Sequence, residues 1–285
     1  MKHKILKALV IFLSIALVIA GTLFYAMYIA PENIKINHKS ISSEKIPKSI
    51  HDVNIAYISD IQYGEFVDEK RFRAVVEKIN EASPDIILFG GDLFSNAEAF
   101  LDDPDTVSKV TEILTDIEAP LGKFYVLGEK DLKNENTKVL ISKILYNAGY
   151  EDLTNKNIKI HNGTSEGFNL VGIDSIVGGT PDIEKAYTNL NNTTFTIAFT
   201  HAPDVYADIP NDSTDLAFAG HSHGGQISLP ILGPLSTIDG AKKYERGTYE
   251  INELIIEVSN GIGTTNVDMR LFSPPEILIY RLVKK

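Results

Sequence analysis

The chain of 285 residues is long enough for one large domain, and 44% apolar residues describe a folded protein rather than a disordered one. The formal net charge of −11 argues against a nucleic-acid partner, because a phosphate backbone is bound by clusters of lysine and arginine. The chain has no cysteine, so any metal ion must be held by histidine, carboxylate or amide groups.

The first thirty residues predict a membrane anchor. Three lysines precede an uncharged run over 8–30, which is long enough to cross the roughly 30 Å hydrocarbon layer as a helix that Pro31 ends. A cleaved signal peptide is the alternative, but its apolar region would be shorter and a small-residue cleavage site would follow it. Because basic flanks stay in the cytoplasm, we expect a single-pass cell-membrane protein whose domain lies outside the cytoplasm.

Residues 31–50 are polar and show no apolar period, which predicts a juxtamembrane linker between the anchor over 1–30 and a domain over 51–285. From Val53, short apolar runs that end in polar clusters alternate with helical patterns, and mostly strands follow in the second half. This order predicts a layered α/β fold with β-sheets packed face to face and helices outside. The predicted strands cover 53–58, 85–89, 124–127, 168–173, 195–199, 216–219, 254–258 and 277–282.

Polar clusters that could bind metal ions follow five of the predicted strands. Taken singly, an aspartate after a strand is usually a turn residue or a helix cap. Two histidines that are two residues apart and bracketed by glycines are harder to explain in that way, because they can face two different ions. Converging strand ends could therefore build a two-metal site. The five clusters are Asp60-Ile61-Gln62, Gly91-Asp92, Glu129-Lys130-Asp131, Thr200-His201 and Gly220-His221-Ser222-His223-Gly224-Gly225.

These clusters resemble, in the same order, the five motifs of the calcineurin-like metallophosphoesterases, which read D-x-H, G-D, G-N-H-[DE], H and G-H-[TS]-H. The resemblance covers about residues 53–283. It is closest to the bacterial membrane-associated branch, to which His201-Ala202-Pro203-Asp204 and Pro274-Pro275-Glu276 are also similar. It implies a metallophosphoesterase-like fold of two packed mixed β-sheets flanked by helices, and two divalent metal ions, with Mn²⁺, Zn²⁺ and Fe as candidates.

The resemblance also assigns the metal ligands. It gives the first ion four of them, Asp60, Gln62, Asp92 and His223. It gives the second ion four as well, Asp92, Glu129, His201 and His221. Asp92 is the shared ligand, and Lys130 stands where the family has its catalytic histidine. Asp92 and Lys130 are therefore the expected catalytic residues.

Three residues depart from the family motifs, because Gln62 replaces a histidine, Glu129 an asparagine and Lys130 a histidine. An amide oxygen is a poorer ligand than imidazole for a transition metal, so we expect the first site to be weak. Two interpretations of Lys130 stay open. It either stabilises a phosphoryl oxygen as a hydrogen-bond donor, or it pairs with Glu129 and takes an ion's place in an inactive site.

The expected function is metal-dependent hydrolysis of a phosphoester or pyrophosphate bond at the outer membrane face. The anchor favours a phosphorylated substrate that is linked to a lipid or to the cell wall. A catalytically impaired protein that binds a phosphorylated ligand is the alternative. A purely structural ectodomain would not need three histidines clustered between positions 201 and 223.

Overall fold

The computed structural model describes residues 2–210 and 212–285. The α-helices in this part of the chain are α1 (Lys2–Tyr28), α2 (Glu69–Glu81), α3 (Pro104–Thr115), α4 (Glu135–Asn147) and α5 (Ile183–Ala186). The strands are β1 (Lys35–Ser43), β2 (Asn54–Ile58), β3 (Ile86–Phe89), β4 (Gly122–Tyr125), β5 (Glu151–Asp152), β6 (Lys156–His161), β7 (Gly167–Gly172), β8 (Thr196–Phe199), β9 (Leu216–Ala219), β10 (Ser228–Leu229), β11 (Gly233–Pro234), β12 (Gly247–Ile251), β13 (Leu254–Val258) and β14 (Glu276–Lys284).

Most of these strands form two six-stranded sheets. The first sheet has the order β1-β14-β2-β3-β4-β5, and the second has the order β12-β13-β9-β8-β7-β6. Both sheets are mixed, because β14 runs antiparallel to β2, while β6 and β12 run antiparallel to their neighbours in the second sheet. The predicted fold of two packed mixed sheets flanked by helices is confirmed.

The two sheets pack face to face because alternate side chains of each central strand point to opposite faces. Tyr57 of β2 points between the sheets and stacks on Phe218 of β9, with ring centroids 5.4 Å apart. Ile58 and Phe89 point the other way and pack against α2, α3 and α4. These strands are buried on both faces, which explains their continuous apolar sequences.

The central strands of both sheets end at one shared edge, and the loops there are tied to one another. The N–H of Asp60, just after β2, donates to the carbonyl of Gly91, just after β3, at 2.9 Å. The N–H of Gly220, after β9, donates to the carbonyl of His201, after β8, at 2.9 Å. This carboxyl edge is where open α/β sheets place their functional sites.

The N-terminal segment contains a helix that is long and apolar enough to cross a membrane. The most apolar 18-residue window within Lys2–Glu32 has a mean hydropathy of 2.5. The helix itself ends at Tyr28, before the expected stop at Pro31, which lies instead in a 3₁₀ turn over Ala30–Glu32. The end of α1 is fixed to the domain, because the N–H of Arg270 donates to the carbonyl of Ala26 at 2.9 Å.

Part of the predicted linker over 31–50 is a strand of the first sheet. β1 pairs in parallel with β14 along its whole length, and Ile46 and Ile50, which follow it, are completely buried between the two sheets. The prediction of a linker is therefore wrong for this stretch. The sequence does not mark this strand, because its outer face is polar and exposed, which leaves little apolar periodicity.

The burial of this stretch predicts a large stability effect for Ile46→Ala. Removing a buried isoleucine side chain should lower the free energy of unfolding by about 2–5 kcal/mol. Lys48→Ala, at an exposed position two residues away, should change it by less than about 0.5 kcal/mol. Thermal unfolding of the detergent-solubilised full chain measures both variants. Equal stability of the two variants would mean that the stretch is a linker after all.

Candidate metal centre

Five of the expected ligands lie on backbone in the left-handed region, where non-glycine residues are strained by about 1–3 kcal/mol each. They follow strand ends, where the chain must turn sharply to bring a side chain towards the shared edge. Their φ values are 55° for Asp60, 55° for Gln62, 59° for Asp92, 66° for His221 and 50° for His223. Such strain persists only where the surrounding structure fixes the conformation, as the paired loops do here.

All three clustered histidines have one ring nitrogen within hydrogen-bond distance of a backbone carbonyl. The pairs are His201 Nδ1 with Gly90 O at 2.7 Å, His221 Nε2 with Asp239 O at 2.7 Å, and His223 Nδ1 with Gly263 O at 3.1 Å. Because a carbonyl oxygen only accepts, these nitrogens are the donors. The opposite nitrogen of each neutral ring is then free of a proton, which is how proteins orient metal-ligating histidines.

The opposite nitrogens of His201 and His221 meet the Glu129 carboxylate. Glu129 Oε2 lies 2.8 Å from His201 Nε2 and 2.7 Å from His221 Nδ1, and the two nitrogens are 3.1 Å apart. Three acceptor atoms this close repel one another unless protons on the rings or a cation compensate them. Oxygen and imidazole nitrogen are the ligands of Zn²⁺ and similar ions, so this trio fits a metal ion.

A second group of ligand atoms surrounds Asp60. This residue is completely buried, and its Oδ1 has no hydrogen-bond partner among the described residues. Oδ1 lies 3.7 Å from His223 Nε2 and 4.0 Å from His201 Nε2. Asp60, Asp92 and His201 offer ligand atoms that lie within 4.8 Å of one another. Burying a carboxylate oxygen without a partner costs free energy that a bound cation would offset. The surroundings of Asp60 Oδ1 therefore also fit a cation.

Asp92 lies between the two groups, and both of its carboxylate oxygens accept hydrogen bonds. Oδ2 accepts from the side-chain amide of Gln62 at 2.9 Å, and Oδ1 accepts from the backbone N–H of Lys130 at 3.0 Å. The Gln62 carbonyl oxygen accepts in turn from the Lys130 ammonium. Lys130 therefore pairs with Gln62, while Glu129 contacts His201 and His221. The ion pair between Glu129 and Lys130, which was one of the two interpretations of the sequence, is not formed.

The buried charges of the site shift one another's pKa values. Burial raises the pKa of Asp92 to about 7. Burial lowers the pKa of His223 to about 4, and the nearby Lys130 ammonium acts in the same direction. In His201 the effect of burial is outweighed by the carboxylates of Asp92 and Glu129, which raise its pKa well above the usual value. A bound metal ion would compete with these protons for the same atoms.

The sequence did not assign a role to Asp131, which holds two ligand loops together. Its side chain is completely buried. One carboxylate oxygen accepts from the backbone N–H groups of Asp92 at 2.7 Å and of Gly128 at 3.0 Å, and the other accepts from Leu93 at 3.1 Å. Asp131 thus fixes the loops that carry Asp92 and Glu129 relative to each other.

Arg270 is a further supporting residue, and no motif in the sequence marks it. Its completely buried guanidinium donates to the carbonyl oxygens of Gly263 at 2.6 Å, Asn260 at 2.8 Å and Ser273 at 2.9 Å. The Gly263 carbonyl is also the partner of His223. Arg270 therefore fixes the carbonyl that orients this histidine.

Asp204 supports the site through a longer connection. Its carboxylate accepts from the backbone N–H groups of Lys242 at 2.8 Å, Lys243 at 2.9 Å and Tyr244 at 3.1 Å. These contacts fix the loop that follows Asp239, whose carbonyl is the partner of His221. The resemblance named Asp204 as part of a motif without a function, and the structure gives it a positioning contact.

Comparison with known proteins identifies the family. The family model of the calcineurin-like phosphoesterases matches residues 53–225. The chain belongs to the calcineurin-like phosphoesterase family. This confirms the resemblance of the five motifs, and it makes the protein a member of a family of metallophosphoesterase hydrolases.

Three curated relatives share most of this chain. The uncharacterized metallophosphoesterase YkuE of Bacillus subtilis is 30% identical over 94% of this chain and 92% of its own length. The UDP-2,3-diacylglucosamine pyrophosphatase LpxG of Chlamydia muridarum is 26% identical over 91% of this chain and 92% of its own. A transmembrane protein with metallophosphoesterase domain of Danio rerio is 26% identical over 92% of this chain and 61% of its own.

The contacts of Asp204 predict that Asp204→Ala weakens metal binding at a distance. Without its carboxylate, the loop after Asp239 loses three backbone contacts, and the partner of His221 is no longer held in place. Metal affinity should fall about 10–100-fold, as it does when a ligand loses its orienting partner. Titration calorimetry on the metal-free protein measures this, with the exposed Asp208→Ala as control. Unchanged affinity in Asp204→Ala would remove Asp204 from the site.

Proposed function

We propose that the protein is a metal-dependent phosphohydrolase that cleaves a phosphoester or pyrophosphate bond of a lipid- or wall-linked substrate at the outer face of the cell membrane. The observation that supports it most is the orientation of three buried histidines by backbone carbonyls towards the carboxylates of Asp60, Asp92 and Glu129. The long apolar helix α1 and the lysines that precede its apolar run support the location. The relative LpxG, by name a pyrophosphatase of a diacylated nucleotide sugar, supports the substrate class.

The proposed ligands form two unequal sets that share Asp92. The stronger set has two carboxylates and two imidazoles, from Asp92, Glu129, His201 and His221. The weaker set is Asp60, Gln62, Asp92 and His223, in which the Gln62 oxygen already accepts a hydrogen bond from Lys130. We therefore expect an ion such as Mn²⁺, Zn²⁺ or Fe to fill the stronger set first and the other set weakly. When bound, the ions stabilise negative charge on a phosphoryl group.

Lys130 is the residue that we propose to contact the substrate. Its backbone is fixed by the bond from its N–H to Asp92, and its ammonium is fixed by Gln62. An ammonium has three N–H donors, so two remain for the oxygens of a phosphate. A positive donor that is already in place costs no reorganisation when charge develops on the phosphate, which is the basis of electrostatic catalysis.

A protein that binds a phosphorylated ligand without cleaving it is the second candidate. The contact between Lys130 and Gln62 favours it, because this contact removes a ligand oxygen from the first metal set. Hydrolysis of bis-p-nitrophenyl phosphate by the full chain, with Mn²⁺, Zn²⁺ or Mg²⁺ added, separates the two candidates. Turnover that depends on metal supports the hydrolase. Metal-loaded protein that binds inorganic phosphate but hydrolyses neither a phosphodiester nor a pyrophosphate supports the binding protein.

The proposed role of Lys130 gives a quantitative prediction. Lys130→Ala should lower turnover by about 10²–10³-fold, the usual effect of losing one donor to the transition state, while metal content stays unchanged. Lys133→Ala is the matched control, because Lys133 is exposed and pairs with Glu98 at the surface. If Lys130→Ala instead raises metal affinity and leaves turnover as it was, Lys130 occupies a metal position and has no catalytic role.

A further inference from the structure

The membrane anchor and the metal centre lie at the same edge of the first sheet. β2 runs towards the metal centre and ends at Ile58. β14 runs antiparallel to β2, so it begins at this edge with Glu276. β1 runs parallel to β14 and therefore also begins there, with Lys35. Because α1 leads into β1 through one short turn, the helix must leave the domain beside the metal centre.

A short segment over 270–272, which we call the connecting segment, links α1 directly with the loop that carries His221 and His223. The N–H of Arg270 donates to the carbonyl of Ala26 in α1 at 2.9 Å. Its neighbour Leu271 exchanges hydrogen bonds with the strand after the histidine motif, since its N–H donates to Gln226 and its carbonyl accepts from Ser228, each at 2.9 Å. The position of this strand relative to α1 is thereby fixed.

This strand continues into the β10–β11 hairpin, whose tip carries large apolar side chains that point away from the protein. Together with one residue of the connecting segment they form a surface that we name the apolar rim, with exposed fractions of 106% for Ile231, 78% for Leu232, 62% for Leu235 and 57% for Phe272. A group of exposed apolar side chains in a folded domain marks an interaction site. Ile231 also has a φ of 72°, a strained conformation for a β-branched residue.

Beyond the contact of Arg270 with Ala26, a cleft of about 570 Å³ lies between the connecting segment and α1. One wall is Leu271 and Phe272, and the other consists of α1 residues, among them Val18 and Tyr25. The α1 wall belongs to the span that is long and apolar enough to cross a membrane. If α1 crosses a membrane, the acyl chains of the outer leaflet surround its outer end. The same acyl chains then also reach the cleft and the apolar rim beside it.

We propose that the apolar rim enters the outer leaflet beside α1, so that the metal centre rests on the bilayer and takes phosphates that are attached to membrane lipids. The net charge of −11 does not favour attraction to anionic lipid headgroups, so binding must come from apolar insertion. Phe272 and Tyr25 are aromatic residues of the kind that favour the membrane interface. The inference rests on the proposed function for the anchor and for the phosphate substrate, and it adds the surface that presents this substrate.

The absence of tryptophan in the chain allows a direct test. A single tryptophan is introduced into the full chain by Leu232→Trp at the rim, by Tyr25→Trp in the anchor, or by Tyr146→Trp as control. Tyr146 is 77% exposed and lies in the last turn of α4, which leads back to the edge opposite the metal centre. Each protein is reconstituted into phosphatidylcholine vesicles whose acyl chains either carry bromine or do not. Bromine quenches tryptophan fluorescence only when it contacts the indole ring.

We expect brominated lipid to remove most of the emission at positions 232 and 25 and to leave the emission at 146 unchanged. Quenching at 25 but not at 232 would overturn the rim as a membrane surface while leaving the anchor intact. A blue-shifted but unquenched tryptophan at 232 would assign the rim to a second copy of the chain instead. Absence of quenching at 25 would overturn the membrane anchor itself. These results do not depend on catalysis, so they separate this inference from the proposed hydrolysis.

Discussion

A buried cluster of carboxylates and histidines is the constraint on which the candidate metal centre depends. Asp60 and His201 are completely buried, and Asp92 is nearly so. Removing such charges from water costs several kcal/mol per ion unless they are compensated. The Lys130 ammonium compensates the side of the cluster where Gln62 replaces the family histidine. The side with Glu129 gathers only acceptor atoms once the histidine rings are neutral, and there a metal ion is the natural compensation.

The scaffold supplies the rigidity that holds this cluster together. Strand ends from both sheets meet at one edge, and their loops are bonded across the sheets, since the N–H of His221 donates to Asp60 Oδ2 at 2.9 Å. Asp131, Asp204 and Arg270 each fix backbone that carries or orients a ligand. Five of the candidate ligands in these loops have positive φ, and strain of this kind is common where a fold prepares a functional site. The same edge receives α1, so the fold places the site and the apolar helix side by side.

The sequence predicted the parts of the fold that local patterns determine. The central strands were found because they are buried on both faces and therefore read as continuous apolar runs. The edge strands β1 and β6 were missed, because their exposed faces are polar and hide the alternation. Short motifs mark the candidate metal ligands, and the fold brings their side chains together. The partner of Lys130 has no such signal, because Gln62 lies 68 positions away in sequence. Arg270 has no local signal at all, since its role comes only from carbonyls that the fold assembles around it.

Elemental analysis of the purified full chain, next to its Asp92→Ala variant, tests the central claim that the buried cluster is a metal site. Asp92 lies between the two groups of ligand atoms, so its loss should remove most of the bound transition metal while circular dichroism shows an intact fold. The matched control is Asp102→Ala, at an exposed position, which should keep the metal of the native protein. A folded Asp92→Ala variant with the same metal content as the native chain would contradict the account.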